Sequence, residues 1–385
     1  MKIGIITYWK STCNYGEQLQ NYALQEYLRG LGHEPFLIRY DYEADTIYGS
    51  RPLPVRLLRA CNPKRLAGYF RSRRNNRLFQ ENCIRHPRGF EEFREEHLSM
   101  SRIYSSIEDL RNDPPEADMY ITGSDQVWNT FEGSLSEMRN RLAAFFLDFG
   151  PEDVIRMSYA ASWGRNGLTE DVTEYLKPLI RKLDAVSVRE KSGINVCHQA
   201  GRNDAVQALD PVFLHDAAAY RQLCSSESMK IPEKPYILFY YMNNDGDYDR
   251  KSVFDWAGSK GLQVVYVTDD WHDDLERSFP GVMEWIALID NAEAVVTNSF
   301  HCCVFSIIFR KKFGVIRRFG GYKEMNTRMD SLFELSGIRP RYIDDDGFEV
   351  LTRPADEPDA VTLAAVRRPE DVIAAALENA AKRLI

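Results

Sequence analysis

Apolar and polar positions alternate in blocks along the first 40 residues. Lys2–Tyr8 is a short apolar run with β-branched residues and reads as a strand. After a loop from Trp9 to Gly16, residues Leu19, Tyr22, Ala23, Tyr27 and Leu31 recur at helical spacing, and Gly30 and Gly32 mark the end of that helix. Glu34–Tyr40 reads as a second strand, so the opening is a βαβ unit and predicts a parallel sheet. Further strands are expected over 117–122, 156–162, 185–188 and 206–209, with a helix over 171–183. Beyond a polar, proline-containing linker at 225–235 the alternation resumes. Strands are expected at 236–241, 262–268, 294–297 and 313–316, and helices near 248–259 and 283–292. Cys302–Phe309 is apolar almost all round, which marks a buried helix. Residues 340–368 are acidic and proline-containing and read as loop-rich, and Pro369–Leu384 reads as a final Ala-rich helix with Pro at its start.

The expected fold is α/β, with two doubly wound parallel-sheet, Rossmann-like domains facing across a cleft. The first spans 1–225 and the second 236–368; the helix of 369–385 has the first domain as its candidate packing surface. A length of 385 residues suits two such domains. Residues 51–102 form a helical insertion in the first domain. They hold twelve arginines and Lys64 against five glutamates. Two readings stay open for it: a basic face for anionic lipid or substrate, giving peripheral membrane contact, or a solvated insertion whose arginines pair with acids elsewhere.

The net charge of −8 excludes a global electrostatic grip on nucleic acid. No apolar run approaches the 18 residues of a membrane-spanning helix, and the N-terminal stretch is too short for a signal peptide. Seven cysteines without a CxxC pair suit free thiols in a reducing cytoplasm and give neither a disulfide framework nor a metal site. The location expected is cytoplasmic, with the inner membrane face as the alternative that the basic insertion would serve.

In a parallel sheet, ligands bind at the C-terminal strand ends, and several strands here end in polar groups. His301 follows the strand at 294–297 and opens the buried helix, with Asn298 and Ser299 in the same turn. A helix N-terminus attracts phosphate or carboxylate, and an imidazole exchanges protons near neutral pH. Arg189 ends an apolar strand and suits bidentate binding of a carboxylate or phosphate, or else a structural pair with a carboxylate such as Glu190. Gly123-Ser124-Asp125 is a strand-end turn in which Asp125 is either a base or a helix cap. Asn14-Tyr15-Gly16 carries the same two readings and is no nucleotide-binding loop. Lys323, Asn326 and Arg328 form a polar cluster after the last strand.

Six segments together resemble the polysaccharide pyruvyl transferase family: Asn14-Tyr15-Gly16-Glu17-Gln18-Leu19-Gln20, Gly123-Ser124-Asp125-Gln126-Val127-Trp128-Asn129, Ser158-Tyr159-Ala160-Ala161-Ser162, Ser187-Val188-Arg189-Glu190, Asp210-Pro211 and Ser299-Phe300-His301. Cys302-Cys303 stands where that family's pattern would have a small Gly or Thr. The resemblance implies a two-domain fold of the GT-B type. It also implies transfer of a pyruvyl group from phosphoenolpyruvate to two hydroxyls of a sugar in a polysaccharide precursor, forming a ketal and releasing phosphate. It implies no cofactor and no metal. The acceptor would be a sugar, lipid- or nucleotide-linked. By the same resemblance Arg189 would hold the donor carboxylate or phosphate, and His301 would bind the donor and be the candidate to protonate it. Asp125 and Ser162 would lie toward the acceptor, with Ser124, Gln126, Asn14, Gly16, Asn298, Ser299, Lys323, Asn326 and Arg328 as further binding candidates. A nucleotide-sugar glycosyltransferase is the alternative. It would want an acidic ribose partner one helix after the phosphate site, and after His301 no acid occurs until Glu324. A non-catalytic member of a glycan-biosynthesis complex is the other alternative.

Overall fold

The computed structural model describes residues 1–45, 77–79, 81–130, 134–225, 229–242, 248–269, 273–320, 323, 326–358, 366 and 368–383. The first sheet contains β1 (Lys2–Ile6), β2 (Glu34–Tyr40), β3 (Met100–Tyr104), β4 (Met119–Thr122) and β5 (Ile155–Ser158). They lie in the order β3-β2-β1-β4-β5, all parallel. The pair β6 (Ser187–Val188) and β7 (Val206–Gln207) continues that edge through parallel bridges from Met157 to Ala185 and from Ala161 to Val188. The second sheet contains β8 (Tyr236–Tyr241), β9 (Gln263–Thr268), β10 (Ala294–Thr297) and β11 (Lys312–Val315), in the parallel order β9-β8-β10-β11. Strands such as β8 are buried along their whole length because helices cover both faces of each sheet. Strand order reverses between β1 and β4 in one lobe and between β8 and β10 in the other. Each reversal opens a crevice beyond the strand ends, and the two crevices face one another.

The lobes share a core. The first helix, Tyr15–Gly30, rises from β1, yet Tyr15 and Leu19 pack with Trp285, Phe300 and Phe305 of the second lobe. The Tyr15 ring stacks on Trp285 at 4.9 Å and 2°, and its hydroxyl donates to the Pro280 carbonyl at 2.8 Å. The closing helix, Pro369–Arg383, lies on the first lobe: Val372, Ile373 and Ala376 are buried with Ile3, Ile5 and Leu24, and Asn379 Nδ2 donates to the Asp184 carbonyl at 2.8 Å.

Two segments differ from the sequence pattern. Met100–Tyr104, whose first three residues were counted in the basic helical insertion, is the edge strand β3. Its Arg102 and Ile103 are exposed, so it shows no apolar alternation. Residues expected as loop around 340–351 include a short helix, Ile343–Asp346, and a 3₁₀ turn, Gly347–Leu351; Val350 and Leu351 are buried against the second sheet. The first half of the basic insertion, residues 51–76, lies outside the described residues. Of its described arginines, Arg77 pairs with Glu81, Arg88 with Asp269, Arg94 with Glu91, and Arg102 with Asp109 and Asp113. Among the described residues no helix is long and apolar enough to cross a membrane.

Candidate active site

The first helix begins at a cap. Asn14 Oδ1 accepts the Glu17 N–H at 3.4 Å, so Asn14 serves the backbone here. Gly16, the second helical residue, meets the other lobe directly. A Cβ placed on it would lie 2.2 Å from Nδ1 and 2.3 Å from Cγ of His301. Only a residue without a side chain permits this approach. His301 is itself the second residue of the helix Phe300–Ile308, whose cap, Ser299, accepts the Cys302 N–H at 3.5 Å. Two helix N-termini therefore converge from opposite lobes, and each brings a positive partial charge.

Asp210, just after β7, sits between them and is buried. Its Oδ1 accepts the Val212 N–H at 3.1 Å. Its Oδ2 accepts Arg189 Nη1 at 2.8 Å and the Ser124 hydroxyl at 3.2 Å, and lies 3.4 Å from His301 Nε2. That last contact is within ion-pair reach but lacks hydrogen-bond alignment, which leaves Nε2 without a bonded partner. Burial alone would raise the Asp210 pKa; His301 and Arg189 outweigh it and hold the carboxylate well below the usual range.

Arg189 is 3% exposed, and its guanidinium lies over the Phe300 ring at 4.3 Å. Burial works against its charge, but Asp210, Asp125 and Glu190 keep it a cation. Only Nη1 is engaged; Nε and Nη2 are buried without a partner. Arg328, on the helix Asn326–Ser336, is 7% exposed, has no carboxylate within ion-pair reach among the described residues, and has an unpartnered Nε. Burial pulls its pKa down to about 9, and the neighbouring charges of Arg189 and Arg318 add to the fall. Both guanidinium groups line one narrow cavity with Glu190, Asp210, Phe300 and Leu332. Buried cations with free N–H groups of this kind suit a small anion.

Asp125 follows β4 in a left-handed conformation, φ 65°, and its Oδ1 accepts the Gln126 N–H at 2.8 Å. It lies within electrostatic reach of Arg189, Arg328 and Glu17. The structure thus brings Gly16, Ser124, Asp125, Arg189, His301 and Arg328 to one place.

Other candidates turn out to be committed elsewhere. Ser162 is fully buried and donates its hydroxyl to Glu190 Oε1 at 3.0 Å, so it does not face an acceptor as the resemblance implied. Gln126 Oε1 accepts from Asn129 Nδ2 at 2.8 Å. Asn298 binds the Met242 backbone N–H and carbonyl, both at 2.8 Å, and ties the end of β10 to that of β8. Asn326 grips the Arg318 backbone at both ends, 2.9 Å each way. Lys323 is exposed. Three residues not singled out as site groups complete the arrangement. Asp210 was visible as a strand-end acid. Glu190 follows Arg189; its Oε1 also accepts the N–H groups of Trp163 and Gly164, at 2.8 and 3.1 Å. Glu17 lies one residue beyond Gly16. Among the described residues no cluster of three or more His, Cys, Asp or Glu side chains could hold a metal ion.

These features define a two-lobed protein of the GT-B type with two incompletely bonded buried arginines between its lobes. Over its whole length the chain is similar in fold to a UDP-N-acetylglucosamine 2-epimerase from Rickettsia bellii, at a TM-score of 0.50 and 10% identity, with 95% of that chain covered. Another similar structure is the Methanocaldococcus jannaschii UDP-GlcNAc 2-epimerase, at a TM-score of 0.49 and 11% identity, covering 92% of this chain and 94% of that one. A search of curated proteins found no match. The family model for polysaccharide pyruvyl transferase matches residues 14–318, so the chain belongs to the polysaccharide pyruvyl transferase family. That makes it a transferase of polysaccharide biosynthesis, acting with a sugar-containing acceptor.

Proposed function

We propose that the protein transfers a pyruvyl group from phosphoenolpyruvate to two hydroxyls of a sugar acceptor, forming a ketal and releasing phosphate. The observation that carries this reading is the pair of buried arginines with free N–H groups beside the Asp210–His301 contact. Phosphoenolpyruvate carries up to three negative charges on two anionic groups, which suits a site with two separate cationic features. The donor carboxylate pairs with Arg189 and Arg328, whose shared cavity must widen to admit it. The paired helix N-termini and His301 take the phosphate and supply a proton as it leaves. Asp125 is the base for the attacking hydroxyl. Asp210 positions His301 and Arg189 and does not itself titrate near neutral pH. No metal or cofactor is required by this scheme.

Calorimetry with phosphoenolpyruvate alone is the test. Micromolar to low-millimolar binding by the native chain, weakened at least 100-fold in Arg328→Met, is the expected result. A native chain that ignores phosphoenolpyruvate but is stabilised thermally by UDP-N-acetylglucosamine would replace this reading with sugar transfer from a nucleotide.

A further inference from the structure

The scheme above leaves one proton without a source. The methylene carbon C3 of the donor becomes a methyl group and must receive a proton before or as C2 is attacked. Arg189 and Arg328 keep their protons, Asp210 is locked as a carboxylate, and Asp125 must accept one. We propose that Glu17 is the acid that protonates C3, an assignment that rests on the pyruvyl-transfer reading.

The geometry is that of a buried carboxyl group one residue from the Gly16–His301 contact between the lobes. Glu17 is the third residue of the first helix and follows Gly16, which touches His301. It is 7% exposed. Its Oε1 accepts the Ser11 N–H at 2.7 Å and Gln18 Nε2 at 3.2 Å. No cationic nitrogen lies within ion-pair reach among the described residues. Arg94 gives its Nη1 to the carbonyls of Trp9 and Ser11, at 3.2 and 3.1 Å, and its Nη2 to Glu91. The titratable and charged groups around Glu17 are Tyr8 and Cys13 on its own loop, Tyr42 and Glu43 after β2, Arg94, and Asp125 after β4, while His301 meets the adjoining Gly16. A carboxyl group so placed is more stable neutral than charged. Burial pushes its pKa up to about 8, Asp125 adds to the rise, and the Ser11 N–H and Arg94 oppose it. It therefore holds a proton at neutral pH on an oxygen able to release it.

The step balances. The π pair of the C2–C3 bond takes the Glu17 proton, the O–H bond breaks, and Glu17 is left as a carboxylate. The first hydroxyl oxygen bonds to C2 while Asp125 takes its proton. Phosphate leaves with its C–O electron pair, and the proton from Asp125 departs with it through His301. The second hydroxyl then bonds to C2 and returns its proton to Glu17. Of the two hydroxyl protons, one ends on the new methyl group and one on phosphate.

Glu17→Gln separates this role from a structural one, because the amide oxygen can still accept from Ser11. The test measures phosphoenolpyruvate binding by calorimetry. It also measures phosphate release, from pH 6 to 10, with a panel of methyl hexopyranosides and with water as the fallback nucleophile. The expected result is binding within threefold of the native chain and phosphate release at least 100-fold slower. The native chain loses rate above about pH 8, the variant keeps its rate until Arg328 titrates near pH 9, and Glu17→Asp keeps the lower limb at reduced rate. A Glu17→Gln variant with native rates and the native alkaline limb would overturn the assignment and leave the pyruvyl-transfer reading standing. A native chain that neither binds nor turns over phosphoenolpyruvate would overturn both.

Discussion

Gly16 and Arg328 show how single residues trade stability against chemistry. In most helices Ala is better than Gly by about 1 kcal/mol, so Gly16→Ala would ordinarily strengthen the first helix. Here its Cβ would meet the His301 ring at 2.2 Å, which forces the imidazole off Asp210. Turnover is expected to fall about 100-fold, as for an ångström-scale misplacement of a catalytic group. The thermal midpoint should change little, and a native rate in this variant would show that the ring position is unimportant. Arg328 is the converse case. A buried guanidinium with no carboxylate in ion-pair contact among the described residues costs stability until an anion arrives. Arg328→Met is expected to leave the free protein as stable or more stable, by about 1–4 kcal/mol, while abolishing the gain in thermal midpoint that phosphoenolpyruvate gives the native chain. A clear loss of stability in the free variant would mean that the arginine is structural.

The same division appears among the elements. Strong periodicity made β1, β2, β8, β10, the first helix and the buried helix after His301 legible, because each buries a continuous apolar face. β3 was not legible, since an exposed edge has no reason to alternate. The site was legible where polar residues end apolar strands, as at Asp125, Arg189 and His301. Glu17 was not, because an acid in the first turn of a helix is ordinarily a favourable charge at the dipole and nothing more. Nor did the sequence show that Ser162 and Asn298 are consumed by Glu190 and Met242, which is a matter of three-dimensional pairing. The first helix also carries an unadvertised load at Tyr15, which anchors it in the opposite lobe. Tyr15→Ala is expected to cost about 3–5 kcal/mol. Tyr15→Phe, which loses only the bond to Pro280, should cost about 1 kcal/mol. Shifts in urea midpoint measure both, and equal costs would mean that the ring stacking contributes little.

At the scale of the molecule, two buried carboxyl groups with opposite shifts shape how stability depends on pH. Asp210 has its pKa lowered, so its contribution is present above the ordinary carboxylate range and is lost as pH falls through and below it. Glu17 has its pKa raised from 4.5 to about 8, so the sign reverses. Below pH 4.5 both folded and unfolded chains hold this proton and Glu17 costs nothing. Between pH 4.5 and about 8 the unfolded chain releases the proton while the folded one keeps it, so folding becomes progressively less favourable as pH rises. Because the first helix is welded into both lobes, this local penalty is felt by the whole fold. Thermal midpoints measured from pH 5 to 9 should therefore decline for the native chain, and the decline should be shallower in Glu17→Gln, where residue 17 no longer titrates. Parallel curves for the two proteins would mean that Glu17 is ionised in the folded state, and would leave C3 of the donor without its acid.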